Sequence, residues 1–177
     1  MEGVGAWDLI KEHLQQPEYL HVLINPLPVY GLALGLFATV LALVLSERRA
    51  QIVALAIVFV SAFSAWPAAE FGEQAYDRVF SEADHVGDLW LDEHAHRASR
   101  VLWVFYGVAA LAATALLVPF KWPRTTGPLL LATLVATIAG LGCGGYIALA
   151  GGQVRHREFR YGPPPPPRPH QAEHTHF

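Results

Sequence analysis

Four stretches of this chain carry no charged side chain: residues 22–45, 51–69, 101–120 and 127–152. Each has about the 17–25 mostly apolar residues that a helix needs to cross a bilayer. A surface helix of a soluble domain would keep a charged face at helical spacing over such a length, and these runs keep none. The pattern predicts four transmembrane helices, over about 22–45, 51–69, 98–119 and 128–150. Lipid offers no partner to backbone N–H and C=O groups, so each span must close its hydrogen bonds within itself. The expected fold class is all-α: a polytopic membrane protein built as a four-helix bundle with short inner loops.

The polar stretches set the organisation around that bundle. Residues 1–21 place Val4, Trp7, Ile10 and Leu14 at helical spacing, and read as an amphipathic lead-in whose Trp7 and Tyr19 suit a membrane interface. Residues 70–97 form an outer loop that holds over half of the acidic residues. A helix starting near Asp84 and running into the third span would turn that loop into a helical cap. After the membrane domain, residues 22–152, comes a tail, residues 153–177. Its five consecutive prolines, Pro163 to Pro167, impose an extended polyproline rod, and its end carries His170, His174 and His176.

Prolines and glycines refine the spans. Asn25, Pro26 and Pro28 are expected in the first turns of span one, where proline costs least. Pro67 should kink span two near its end, and Pro119 should stop span three. Gly31 and Gly35 form a GxxxG face for close helix packing. Gly140, Gly142, Gly144 and Gly145 form a second small-residue surface. The same letters match GxGxxG, but a nucleotide loop needs a preceding strand and a βαβ unit, which this pattern lacks.

Composition agrees with the pattern: 53% of residues are hydrophobic and 15% charged, against about a quarter charged in soluble domains. The net charge of −3 argues against a general nucleic-acid surface. The single cysteine, Cys143, excludes an intrachain disulfide and any CxxC motif. Charge also orients the spans. The two short loops hold Arg48, Arg49, Lys121 and Arg124 against Glu47, which places them in the cytoplasm. Both termini and the 70–97 loop then lie outside, on the periplasmic side where there is one.

The candidate chemistry lies at that outer end. On a helix running from Asp84, His94 shares a face with Gly87, Trp90, Leu91, Ala98 and Val101, an apolar face that should point into the bundle. His96 falls beside Asp92, Glu93, Ser99 and Arg100, a wetter face, and is the reserve. His21 opens span one, which runs parallel to span three. Two histidines at one depth on two helices are the axial-ligand pattern of a b-type haem. They are also what two interfacial histidines bonded to backbone or acids would look like. Glu82-x-x-His85 and Glu93-x-x-His96 match the i, i+3 pair of carboxylate metal centres, with Glu70 and Glu73 as further carboxylates. Glu70, Glu73 and Asp77 would otherwise line a polar path, and Glu70, Glu73 and His85 a polar site.

Several strings together resemble the DUF2231 family of uncharacterised bacterial four-helix membrane proteins. Residues 21–28, HVLINPLP, are similar to that family's HPxxVHFP-like opening; His21 and the final Pro28 are kept, while Pro26 replaces the second histidine. Residues 69–75, AEFGEQA, resemble its A-x-x-G-x-x-A string. A histidine before helix three is matched by His94 or His96, and residues 151–156 resemble the end of its fourth helix. The resemblance implies a multi-pass protein of the bacterial inner membrane, and a context of Rieske and cytochrome proteins. The expectation is a redox subunit that binds haem b through His21 and His94 and works with other membrane or periplasmic redox proteins. The alternative is a cofactor-free anchor or assembly subunit, whose acidic loop and polyproline tail dock neighbours. In either case an accessory role is expected rather than a stand-alone enzyme.

Overall fold

Where charge is absent, a chain in lipid has little choice but helix. The computed structural model describes residues 5–168, and all regular elements among them are helical. In order they are α1 (Ala6–His13), α2 (Pro17–Ile24), α3 (Leu32–Leu45), α4 (Arg48–Phe63), α5 (Ala65–Glu82), α6 (His85–Leu117) and α7 (Thr126–Arg155). Together they make four helical spans long and apolar enough to cross a membrane: Pro17–Leu45, Arg48–Glu82, His85–Phe120 and Pro123–Arg155. The protein is a four-helix membrane bundle. His170, His174 and His176 lie outside the described residues.

The spans run well past the uncharged stretches. The 33 residues of α6 make a rod about 50 Å long at 1.5 Å per residue, against a hydrocarbon core of about 30 Å. Residues 70–97 are therefore not a loop. They continue α5 outward to Glu82 and bring α6 back from His85, leaving only Ala83 and Asp84 between the helices. Asp84 sets this turn by capping α6, its carboxylate accepting from the Gly87 N–H at 2.6 Å. We call this the histidine end, and the end with the Arg48 and Lys121 turns the basic end.

Two spans are broken. His21 does not open span one; it sits inside α2, which starts four residues earlier with Pro17 at a position where the missing N–H is harmless. Asn25, Pro26 and Pro28 consequently fall mid-span. Neither proline can donate a hydrogen bond, and the chain passes them through a π-helical turn, Leu27–Gly31. In span two, Pro67 clashes with the carbonyl four residues back, at Phe63. The break falls there, between α4 and α5, at Ser64. The Ser64 hydroxyl turns back to the Ser61 carbonyl at 2.7 Å.

Small residues bring the spans together. A Cβ on Gly31 would stand 2.3 Å from the Ser61 hydroxyl oxygen, and one on Gly35 would stand 2.7 Å from a Val58 methyl, so the GxxxG face is the α3–α4 contact. In α7 only half of the expected surface is used: Gly140 faces Leu32 and Val108, and Gly144 faces Val29 and Phe105, while Gly142 and Gly145 meet nothing. Positions 140 and 144 share a face four residues apart; 142 and 145 turn away from it. Buried hydroxyls are satisfied inside their own helices, as Thr39, Thr133 and Thr137 each donate to the carbonyl four residues back.

The tail returns to the bundle. The Arg160 guanidinium donates to the Gln153 and Val154 carbonyls at 2.7 Å each and to Asp84 at 2.9 Å, so it caps α7 and ties it to the start of α6. Arg157 also reaches Asp84, at 2.8 Å. At the far end of the proline rod, Arg168 pairs with Glu93 on α6. The rod expected to serve as a free docking element is thus held to its own bundle. In contrast, α1 buries no side chain, and Trp7, Leu9, Ile10 and Leu14 are exposed.

Two outcomes follow. Gly35→Val should destabilise the bundle by roughly 1–3 kcal/mol through overpacking, whereas Gly142→Val should be close to neutral, as read by thermal unfolding in detergent. The second concerns acid. Arg160, the Gly87 N–H and Arg157 together hold the Asp84 carboxyl down at about 2, below its ordinary 3.8. A depressed carboxylate contributes stability that is fully present above its unfolded value and is lost as pH falls through the folded one. Hydrogen exchange of residues 156–160 should accordingly stay slow above about pH 4 and accelerate towards pH 2, and Asp84→Asn should abolish this pH step.

Candidate functional site

At the histidine end the helices form two close pairs, joined to each other through α5 and α6. Helix α2 packs on α5, and α6 on α7, but α2 does not pack closely on either α6 or α7. His21 comes from the first pair and His94 from the second, and the two imidazoles meet with ring centroids 6.2 Å apart and planes at 85°.

Each ring is anchored to the partner helix of its own pair. His21 Nδ1 lies 2.7 Å from the Ala68 carbonyl oxygen on α5, and His94 Nδ1 lies 3.2 Å from the Ile147 carbonyl oxygen on α7. A carbonyl can only accept, so in both rings Nδ1 carries the proton and donates it. In the neutral imidazole the lone pair is then on Nε2. This is the usual arrangement of a metal-binding histidine, with one nitrogen fixed by a carbonyl and the other left to bind.

Both rings rest where the neighbouring helix has no side chain. A Cβ on Gly72 of α5 would stand 2.8 Å from His21 Nδ1, and a Cβ on Gly151 of α7 would stand 2.9 Å from His94 Nδ1. The two halves of the site are therefore built alike, with a histidine on one helix and a glycine and a carbonyl on the next. Beside His94, Arg97 donates to the Tyr146 carbonyl at 2.9 Å and lies 4.3 Å over the Tyr146 ring. Glu93 holds Arg97 from behind at 2.8 Å. Helix α6 thus grips two successive carbonyls of α7, which sets the rotation of His94.

The separation has a chemical meaning. Imidazole–metal bonds are about 2.0–2.1 Å, and a ring nitrogen lies about 1.1 Å from its ring centre, given ring bonds of about 1.33 Å. Two imidazoles on opposite sides of one metal would have centroids about 6.3 Å apart on those figures. The donor set is also informative. Among the described residues no three His, Cys, Asp or Glu side chains are grouped to hold a metal, so the pair could supply only two ligands. Structural and catalytic zinc sites take three or four from protein. A bis-histidine haem, which brings its four equatorial nitrogens with it, is one group that would need only two such side chains.

The remaining sequence candidates do not join this pair. His96 is two residues beyond His94, about 200° around the helix, and faces elsewhere. Glu70 and Glu73 are exposed on α5, with Glu70 engaged by Gln74 at 2.9 Å, and His85 is exposed at the start of α6. Helical spacing turns them outward, and among the described residues they join no group of three or more His, Cys, Asp or Glu side chains. Glu93, offered as a ligand with His96, is instead consumed by Arg97 and Arg168.

One polar contact at this end was not anticipated from sequence. Asp92 is 6% exposed and accepts a hydrogen bond from the Tyr76 hydroxyl, which joins α5 to α6 about one turn beyond Gly72. Its second oxygen, Asp92 Oδ2, is buried without a hydrogen bond among the described residues. Periodicity put Asp92 on the wetter face with His96, and its partner Tyr76 belongs to another helix, so spacing carried no signal for the contact.

No protein-family model matches this chain, and no curated protein or solved structure shows a relative.

The Tyr76–Asp92 contact yields a double-mutant test. Tyr76→Phe should cost roughly 1–3 kcal/mol, because it leaves a buried carboxylate oxygen unpaired. Removing both polar groups, in Tyr76→Phe with Asp92→Leu, should recover most of that loss, as read by thermal unfolding.

Proposed function

We propose that this protein is a membrane-embedded, b-type haem-binding electron-transfer subunit, with His21 and His94 as the two axial ligands. The observation that carries the reading is the imidazole pair itself: centroids 6.2 Å apart, both Nδ1–H groups spent on backbone carbonyls, and both rings seated against glycines. When bound, the haem supplies one-electron redox chemistry. The chain orients both imidazoles through the Ala68 and Ile147 carbonyls, and Nε2 of each ring would be the atom that holds the iron.

The surroundings support the same reading. His94 lies seven residues, about 10 Å, outside Val101, where the uncharged part of α6 begins. A cofactor there would sit near the bilayer surface, within reach of an extramembrane redox partner, and Glu70, Glu73 and Asp77 are exposed nearby to meet a basic one. His21 also stands at the first histidine of the DUF2231-like opening. We place the histidine end on the periplasmic side of a bacterial inner membrane, because the two short loops at the other end hold Arg48, Arg49, Lys121 and Arg124 against the single acid Glu47.

The test is a visible spectrum of the purified protein, oxidised and dithionite-reduced. A Soret band and a reduced α band are expected. Both should disappear in His21→Ala and in His94→Ala and persist in His96→Ala. A colourless preparation, folded and reconstituted with haem without spectral change, would sink the redox reading and leave the cofactor-free anchor in its place.

A further inference from the structure

The two ends of the bundle treat charge differently. Every salt bridge among the described residues lies at the histidine end. At the basic end Arg48, Arg49, Lys121 and Arg124 face a single acid, Glu47, and none of these cations takes part in a salt bridge. Arg48 has in addition a buried Nη2 without a hydrogen bond among the described residues. Arg48 and Arg49 open helix α4, whose N-terminal dipole favours an anion rather than two cations.

Beside these arginines the lipid-facing surface is hollow. A recess of about 340 Å³ runs between α3 and α4, lined by Leu41, Leu45, Ala50 and Val53, with Arg49 at its mouth. A second, of about 450 Å³, shares Val53 and continues along α4 past Ile57 to Val60 and Ser61. From Arg49 to Val60 is eleven residues, about 16 Å of helix, or roughly half of a 30 Å hydrocarbon core. The trough is one leaflet deep, apolar throughout its length, and ends at unpaired cations.

We infer that this trough is a seat for an anionic phospholipid. Its phosphate lies against the Arg49 guanidinium at the start of α4, and one acyl chain lies along α4 between Leu41 and Val60. The seat is independent of the haem reading, because it lies at the opposite end of the bundle and shares no residue with the His21–His94 pair. The headgroup supplies the negative charge that the start of α4 lacks, and the chain covers Val53 and Val60, which are otherwise 59% and 60% exposed.

The experiment is native mass spectrometry of the detergent-purified full chain, titrated with phosphatidylglycerol or with phosphatidylcholine of the same acyl chains. One phosphatidylglycerol should be retained in preference to phosphatidylcholine. Arg49→Gln should lower that preference about fivefold, on the scale of one basic residue at an anionic surface. Val53→Trp fills the trough from an exposed position and should weaken retention of both lipids. Lys121→Gln with Arg124→Gln should leave the preference in place, since neither residue lines the trough. Equal retention of the two lipids by the wild-type chain would overturn the inference. So would an equal loss of preference in the Lys121/Arg124 variant, which would show diffuse attraction to a basic surface.

Discussion

A bilayer interior offers a polypeptide no hydrogen-bond donors or acceptors, so each backbone or hydroxyl group in a span must find its partner in the chain. The structure answers this in two ways. Buried threonines fold their hydroxyls onto the carbonyl of the preceding turn. At the prolines, where no such repair exists for the missing N–H, the helix is broken and restarted, by a π-turn after Pro26 and at Ser64 before Pro67. The position of His21 depends on the first of these breaks, since α2 takes its own direction from the π-turn and leans on α5 rather than on α6 or α7.

The two ends of the bundle follow from that frame. At the histidine end the helices stand clear of the hydrocarbon, where charge is affordable, and the acids and arginines are used to tie the ends of helices together. Asp84 alone caps α6 and receives Arg157 and Arg160 from the chain that leaves α7. Between these ties two imidazoles are held by backbone carbonyls of neighbouring helices, and Arg97 helps to fix the rotation of His94 through the Tyr146 carbonyl. At the basic end there is no such network among the described residues, and Arg48, Arg49, Lys121 and Arg124 form no salt bridge.

Much of the fold was legible in the sequence because the membrane imposes a one-letter code: charge or no charge over some twenty residues. The four spans, the GxxxG contact through Gly31 and Gly35 and the inward face of His94 all follow from it. The ends of the spans did not, because a helix that has left the lipid may carry any side chain, and charge no longer marks its boundary. The helical cap from Asp84 was expected, but for that reason the run of α5 out to Glu82 read as a loop. The site was half legible. Periodicity placed His94, and shared depth paired it with His21, but Gly72 and Gly151 carry their meaning only through what a Cβ would strike. Gly151 follows Gly144 at seven residues, so it continued the inward stripe of α7 and was open to recognition. Asp92 was not, since its partner Tyr76 comes from another helix sixteen residues away.

The packing of Gly31 against Ser61 puts the two backbone breaks at the same depth in the bundle. Above that level α2 and α5 hold to each other; below it α3 and α4 do, in closer contact with α6 and α7. A span is stiffest where its hydrogen-bond ladder is unbroken, so bending concentrates at the breaks. Above the Gly31–Ser61 level α5 is tied to α6 and α7 through Tyr76–Asp92 and Glu82–Arg155, so bending at the breaks is left to α2, the one upper helix without close packing on α6 or α7, and its tilt sets the distance between His21 and His94.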